Sequence, residues 1–559
     1  MTLLIQAANI CHAHGGNQIF EDATFEVREG DRLALIGPNG AGKSTLFQIM
    51  AKLIAPDGGA VTHRRGLTVG YLSQESSIDP ELTMRQAVAF AAGDPTALEA
   101  RLRELETRMA EPLDDAALTA VMDEYAATLA RLESAPPEEE NAKGAAVLAG
   151  LHLPEERWDT PVGRLSGGEK KLVGLAQLLV AEPEVLQLDE PDNHLDLGAK
   201  AWLEGYVRAH RGAVAIISHD RYLIDRAVNE IFELEDGRVV TYPGTYTAFV
   251  EEKQRRLERQ AQLRELQERE FKKLKASAEQ LTQWARQNPK FAPRAENQRR
   301  KMAEERERLE QTPPPILNRR RINVDFDAER GSTLVLEAKG LAKSFGARQV
   351  LRPFDLTIRH GEVVGVIGPN GSGKSTLFRL VLGQEQPSSG TLRIGPSIVV
   401  GYYAQEQETL DRNQTPLEMV RRLKSFTEQQ GISFLSGLLF DRGDMLNPIG
   451  NLSGGERARL QVAALILGGA NFLLLDEPTN NLDIASTEVL ESALLDFQGS
   501  ILAISHDRYF LDKLCTRTVE LRDGIVRDYP GGFSSYEANR GHGTGLTIRV
   551  PVPAARGSR

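Results

Sequence analysis

The chain has 559 residues, 41% hydrophobic and 26% charged, with 50 glycines and a formal net charge of −11. At about 150 residues per domain it should hold two to four domains. No apolar run reaches 18 residues, which excludes a transmembrane helix, and the acidic total excludes a uniformly basic nucleic-acid binder while leaving room for a local patch. The first ten residues lack a basic segment followed by a long apolar core, so no secretory signal is expected. Two cysteines, Cys11 and Cys515, fit a reducing cytoplasm and cannot by themselves form a cysteine-ligated zinc site or an iron–sulfur cluster.

In chain order, an apolar strand over Arg32–Ile36 runs into Gly37-Pro38-Asn39-Gly40-Ala41-Gly42-Lys43-Ser44-Thr45. This is a phosphate loop. Its glycines let backbone N–H groups close around phosphates at a helix N-terminus, Lys43 would reach the β- and γ-phosphates, and Ser44 would ligate magnesium. Tyr71 leads to Gln74, which can add an oxygen ligand and sense the γ-phosphate. The next 90 or so residues hold a predicted helical hairpin: Leu98, Leu102, Leu105 and Met109 recur at helical spacing, as do Leu118, Val121, Met122, Tyr125, Leu129 and Leu132. Pro112 to Asp115 breaks the pair, and Pro136-Pro137 ends it. An insertion packed on its own domain and a projecting arm that touches a partner both fit this pattern.

Leu165-Ser166-Gly167-Gly168-Glu169 follows, a serine and glycines opening a helix and suited to donate to a γ-phosphate. Asp189 then closes an apolar segment, the place for a magnesium-directing carboxylate, with Glu190 directly after it. Successive residues at a strand end point differently, so one carboxylate can serve the metal while the next faces the attacking water. His219, after the strand Ala213–Ile217, can contact the same phosphate.

Residues 251–311 change texture, with 17 Lys/Arg against 12 Asp/Glu. Leu263, Leu266, Leu274, Ala278, Leu281 and Ala285 form one helix face; Asn288-Pro289 and Pro293 break it; a second helix is predicted from Arg294 to Gln311; Pro313-Pro314-Pro315 stops it. The bend carries Arg286, Lys290, Arg294, Arg299, Arg300 and Lys301 against Glu296 alone, with Trp284 and Phe291 interleaved. A charge run is usually a solvated face, but concentration at a tip with aromatics favours contact with a phosphate backbone.

The remainder repeats the beginning. A strand over Val363–Ile367 enters Gly368-Pro369-Asn370-Gly371-Ser372-Gly373-Lys374-Ser375-Thr376, and Gln405, Ser453, Gly455, Asp476, Glu477 and His506 return in the same order. Lys43 to Lys374 and Gln74 to Gln405 are both offset by 331, whereas Ser166 to Ser453, Glu190 to Glu477 and His219 to His506 are offset by 287. The difference of 44 places the extra segment between Gln74 and Ser166 of the first half. The chain is a tandem duplication.

These motifs resemble the ATP-binding cassette superfamily, and two fused cassettes with an arm in the first and a charged two-helix linker look like its ABC-F family. Asp-Glu-Pro-x-Asn-His/Asn-Leu-Asp and Ser-His-Asp-Arg-Tyr in both halves match that family's wording over about residues 2–537. The resemblance implies an α/β fold of two P-loop ATPase domains: a cassette over 2–250 with its arm at about 92–137, a helical linker over 251–320, and a cassette over 333–537. The tail 540–559 is expected to be disordered.

The resemblance also implies ATP sandwiched at two composite sites, Lys43 working with Ser453 and Lys374 with Ser166. His14 and Phe345 would stack on adenine, each 23 residues before its loop. His14 departs from the usual aromatic, and Asp192 stands where the second half keeps Thr479. With both glutamates and both signatures intact, both sites are expected to hydrolyse ATP. In that family, closure on two Mg–ATP suits binding in the ribosomal exit site, the linker reaching the peptidyl transferase centre and P-site tRNA and the arm the uL1 stalk. A cytoplasmic, monomeric protein is implied. The rival reading, the ATPase subunit of a membrane transporter, gives no reason for a long basic hairpin between the halves, which is long for a tether.

Overall fold

A computed structural model describes residues 2–14, 17–72, 78–92, 95–110, 115–133, 141–193, 195–235, 237–311, 333–404, 410–438, 440–480, 482–540 and 546–547. In the first half, β1 (Leu3–His14), β2 (Asn17–Arg28) and β4 (Gly58–His63) form an antiparallel sheet ordered β2-β1-β4. Beside it, β3 (Arg32–Ile36), β5 (Val69–Leu72), β6 (Val185–Asp189), β7 (Ala213–Ile217), β8 (Glu230–Glu235) and β9 (Arg238–Pro243) form a sheet ordered β5-β6-β7-β3-β8-β9. It is parallel except for β9. Parallel strands bury both faces, and β6 and β7 are buried at every residue. The helices are α1 (Lys43–Met50), α2 (Met84–Ala92), α3 (Pro95–Met109), α4 (Asp115–Glu133), α5 (Asn141–Gly150), α6 (Gly167–Ala181), α7 (Leu197–Ala209) and α8 (Arg221–Ala227).

The two predicted insertion helices appear as α3 and α4, paired through buried Leu98, Leu102, Leu105 and Val121. The seam differs from the expected face: Met122 and Leu129 are exposed, and Thr128 is buried in their stead. Its hydroxyl donates to the Glu124 carbonyl at 2.8 Å, which lets a polar residue sit inward without an unmet hydrogen bond. Arg101, also buried, is paired with Asp79 at 3.0 Å, Glu104 at 2.7 Å and Glu124 at 2.8 Å.

The linker is a compact unit of its own over Tyr246–Arg321. Within it α9 (Tyr246–Gln287) runs 42 residues, a 3-10 turn at Pro289–Phe291 bends the chain, and α10 (Ala292–Gln311) returns. The Asn288 side chain caps the bend by accepting from the Lys290 N–H at 3.1 Å. Ala278 is buried and Leu274, Leu281 and Ala285 are half-buried, but Leu263 and Leu266 are exposed. At the level of Leu263 and Leu266 the covered face of α9 has turned to Arg264, Gln267 and Phe271, which are half-buried, so the two leucines lie beside that face and not on it.

In the second half, β10 (Leu334–Phe345), β11 (Arg348–Arg359) and β13 (Ser389–Ile394) repeat the antiparallel sheet as β11-β10-β13. The large sheet comprises β12 (Val363–Ile367), β14 (Val400–Tyr403), β15 (Phe472–Asp476), β16 (Ser500–Ile504), β17 (Arg517–Arg522), β18 (Ile525–Pro530) and β19 (Leu546–Thr547), ordered β14-β15-β16-β12-β17-β18-β19. The accompanying helices are α11 (Lys374–Val381), α12 (Pro416–Leu423), α13 (Glu428–Gly437), α14 (Arg442–Leu446), α15 (Gly454–Leu467), α16 (Ile484–Leu495), α17 (Arg508–Leu514) and α18 (Phe533–Arg540). The tandem α/β architecture thus matches the sequence reading. No helix among the described residues is long and apolar enough to cross a membrane.

Candidate nucleotide sites

Each half presents the same construction. The loop after β3 turns into α1, and the loop after β12 turns into α11, with Gly42 and Gly373 as left-handed N-caps at φ 94° and 103°. A Cβ on Gly42 would run into Ile19 and Phe20, and one on Gly373 would meet Val350 at 2.7 Å, so backbone conformation and space both require glycine. Lys43 Nζ donates to the carbonyls of Gly37 (2.8 Å) and Pro38 (2.9 Å), and Lys374 Nζ to those of Gly368 (2.8 Å) and Pro369 (3.0 Å). Each ammonium curls over its own loop, where burial pulls its pKa down. Ser44, Thr45, Ser375 and Thr376 occupy the first turns of α1 and α11.

Asp189 and Asp476 end β6 and β15, each one strand in from the edge of its sheet. Asp189 accepts from the Tyr71 hydroxyl at 3.3 Å, and its Oδ1 is buried with no hydrogen-bond partner among the described residues. An orphaned buried carboxylate oxygen is costly, and a divalent cation beside the Ser44 hydroxyl would satisfy it. The donor set of one carboxylate and one hydroxyl suits magnesium, which is commonly held by a few protein oxygens together with phosphates.

Glu190 and Glu477 follow in left-handed backbone, φ 49° and 48°. Non-glycine residues held there store about 1–3 kcal/mol and cluster at functional sites. Their N–H groups donate to Ile217 (2.8 Å) and Ile504 (2.9 Å) at the ends of the neighbouring strands, which fixes the turn. The Asn193 amide donates to Glu190 at 2.8 Å, and the His506 N–H donates to Glu477 at 3.1 Å. The imidazole Nε2 of His219 lies 3.8 Å from Glu190, and that of His506 lies 3.5 Å from Glu477. Burial, helped by the nearby Lys43 ammonium, pushes His219 down to about 4, and burial with Lys374 holds His506 well below the ordinary value. Both rings are therefore neutral at pH 7, each with one N–H to offer. The two His219 ring nitrogens and Nδ1 of His506 are buried without a described partner.

The glutamates differ. Burial raises Glu477 to about 7, against the opposing pull of Lys374, and its side chain is 10% exposed where that of Glu190 is 26% exposed. If Glu477 is the general base, it must be ionised to accept a proton, so kcat/KM for ATP in an E190Q variant should climb through about pH 7 and level off above it. A flat profile from pH 5.5 to 8.5 would contradict this.

Ser166 and Ser453 cap α6 and α15 in reciprocal capping boxes with Glu169 and Glu456. The Ser166 hydroxyl also donates to Glu169 at 2.8 Å, so it serves its own helix in this structure. Gly168 and Gly455 lie in the first turns of those helices; a Cβ on Gly455 would collide with Ser486. Phe345 stands 45% exposed at the end of β10 with Lys343 Nζ 4.8 Å from its ring centre. His14 ends β1, but its side chain, like all of Gln74 and Gln405, lies outside the described residues.

What joins the halves is a pair of residues that sequence reasoning does not single out. The Asn39 N–H donates to Asp483 at 3.2 Å, and the Asn370 N–H donates to Asp196 at 3.4 Å. Asp196 and Asp483 also N-cap α7 and α16, so each phosphate loop is touched by the helix start of the opposite half. The signal is present as Leu-Asp at the end of both Asp-Glu-Pro-x-Asn segments. Around this axis Arg221 pairs with Glu491, and Arg508 with Glu204, all four buried.

The family described as ABC transporter matches residues 20–193 and 351–480, and an extension domain of the same description matches 232–324. The putative ATP-binding protein YdiF of Bacillus subtilis is 35% identical over 537 residues, 96% of this chain and 82% of that protein. The energy-dependent translational throttle protein EttA of Haemophilus influenzae is 36% identical over 533 residues, 93% and 92% of the two chains. EttA of Mycobacterium tuberculosis is 34% identical over 557 residues, 98% and 96%. Among solved structures, the archaeal ribosome recycling factor aABCE1, crystallised with the stalk protein aP1, aligns at a TM-score of 0.59 and 20% identity over 96% of this chain and 92% of that one, a likeness of fold.

The chain is therefore an ATP-binding cassette protein, a nucleotide-binding ATPase with two cassettes. Within that superfamily it belongs to the ABC-F family, with the EttA proteins.

Proposed function

We propose that this ATPase is a ribosome-binding translation factor whose two halves close on two Mg–ATP molecules, bind near the exit site and P-site tRNA, and part on hydrolysis. The observation that carries the ribosome reading is the linker tip. Arg286, Lys290, Arg294, Arg299 and Lys301 are exposed and have no ion-pair partner among the described residues; Arg300 has only Glu304 at 3.7 Å. Six cations on a bend fit an RNA backbone, and the translational role in the EttA name supports the same reading. We assign the protein to the cytoplasm as a monomer, with rRNA and tRNA as the linker's partners.

In each site Lys43 or Lys374 would leave its carbonyls for the β- and γ-phosphates, and Glu190 or Glu477 would take the proton of the attacking water. His219 or His506 would donate its N–H to the γ-phosphate, and the opposite signature, Ser453 or Ser166 with its glycines, would complete the shell. Phe345, and at the other site His14, would stack on adenine. Ser44 with Asp189 and Gln74, and Ser375 with Asp476 and Gln405, would hold magnesium, which when bound offsets the charge of the β- and γ-phosphates.

Replacing Arg294, Arg299, Arg300 and Lys301 by Gln should flatten the dependence of log affinity for ribosomes on log salt, by about 0.7–0.9 for each phosphate that is no longer neutralised. An unchanged slope would make the tip a solvated face.

A further inference from the structure

The two nucleotide sites are built alike but not held alike. Two positions distinguish the halves: Asp192 and Lys200 in the first correspond, at the offset of 287, to Thr479 and Thr487 in the second, while Asp220 and Asp507 are shared. Lys200 lies one turn into α7, four residues after Asp196, and is 9% exposed. Its ammonium donates to Asp220 at 3.0 Å and, across the junction of the halves, to the backbone carbonyl of His506 at 3.2 Å. Asp192, buried, accepts from Ser218 at 2.7 Å and adds attraction for the same cation. Arg508 closes the cluster at 3.4 Å from Asp220.

α7 therefore makes two contacts with the site of Lys374: Asp196 on the Asn370 amide, and Lys200 on the His506 loop. The mirror helix α16 brings Asp483 to Asn39, but Thr487 has no ammonium with which to reach His219. A buried ammonium on a peptide carbonyl is a charge-assisted hydrogen bond, about twice as strong as a neutral one. It holds in place the segment whose N–H donates to Glu477.

We propose that Lys200 is a positioning residue for the Lys374–Glu477–His506 site alone, fixing its histidine loop from the opposite half and making the two sites unequal. The contact forms only when the halves meet, so it ties the readiness of that one site to closure. This rests on the two-site ATPase reading above.

The test is vanadate trapping of the full-length protein with magnesium and 8-azido-ATP, followed by photolysis and assignment of label to first-half or second-half peptides by mass spectrometry. Wild type should label both halves. The variant D192T/K200T recreates the Thr479–Thr487 pair of the second half and removes an aspartate together with its cation, which guards against simple misfolding. Second-half labelling should fall at least fivefold relative to first-half labelling. An unchanged ratio, whether both labels persist or both fall together, would overturn the proposal, since general destabilisation acts on both sites. Absence of label from both halves of wild type would overturn the two-site reading itself, and this inference with it.

Discussion

Replacing both Glu190 and Glu477 by Gln should lower ATP turnover by about 10²–10⁴-fold, the usual contribution of a positioned base, while ATP binding persists. The substitution is nearly isosteric. A glutamine amide oxygen still accepts from the Asn193 side chain and from the His506 N–H, and glutamine meets the same backbone demand at φ 49° and 48°. Lys43, Lys374, Asp189 and Asp476 remain in place, so the variant should collect in the closed, ATP-bound form. Closing is a population shift: reversing 1:99 to 99:1 asks about 5.5 kcal/mol, or roughly 2.8 from each site, within reach of a few charge-assisted hydrogen bonds. Turnover at the wild-type rate would mean that these glutamates are not the bases.

The second large effect should come from the junction. Arg508 is 1% exposed; its guanidinium pairs with Glu204, lies 3.4 Å from Asp220 and stacks 4.9 Å from the Tyr222 ring centre. Removing one partner of a buried pair costs about 3–5 kcal/mol because the other charge is left uncompensated. The pair spans the halves, so Arg508→Met should weaken closure by about 100-fold or more, read as a shift in the ATP concentration that brings fluorophores on the two halves together. Arg221→Met should cost less, because Lys513 remains on Glu491 at 2.8 Å, whereas among the described residues Glu204 keeps only Arg226, at 3.8 Å. Adding Glu204→Gln to Arg508→Met should recover much of the loss. Equal effects of the two arginine variants would contradict this account of the junction.

Much of this arrangement is local enough to be legible in a sequence. A strand, a glycine-rich turn and a helix are contiguous, so β3 with its loop and β12 with its loop can be placed from residues alone. The same holds for the apolar strands leading to His219 and His506. The failures are of two kinds. Helix faces are misjudged where a neighbour decides burial: Thr128 is inward with its hydroxyl bonded within its own helix, while Met122 and Leu129 are exposed, and beside Leu263 and Leu266 the covered face has turned to Arg264, Gln267 and Phe271.

Contacts across the junction escape a sequence reading because they depend on the relative placement of distant segments. Asp196 reads as an ordinary N-cap until the opposite Asn370 amide is seen beside it, and Lys200 reads as one more helix cation. The left-handed turns at Glu190 and Glu477 are likewise silent in the residue types. They arise because each residue must leave its strand while its N–H stays bonded to the next one.

The most direct test of the central claim is sedimentation of the E190Q/E477Q protein with purified 70S ribosomes on sucrose gradients, with ATP or with ADP. The account predicts co-migration with 70S particles in ATP and its loss in ADP. Absence from every ribosomal fraction in ATP, in protein shown to bind ATP, would contradict it.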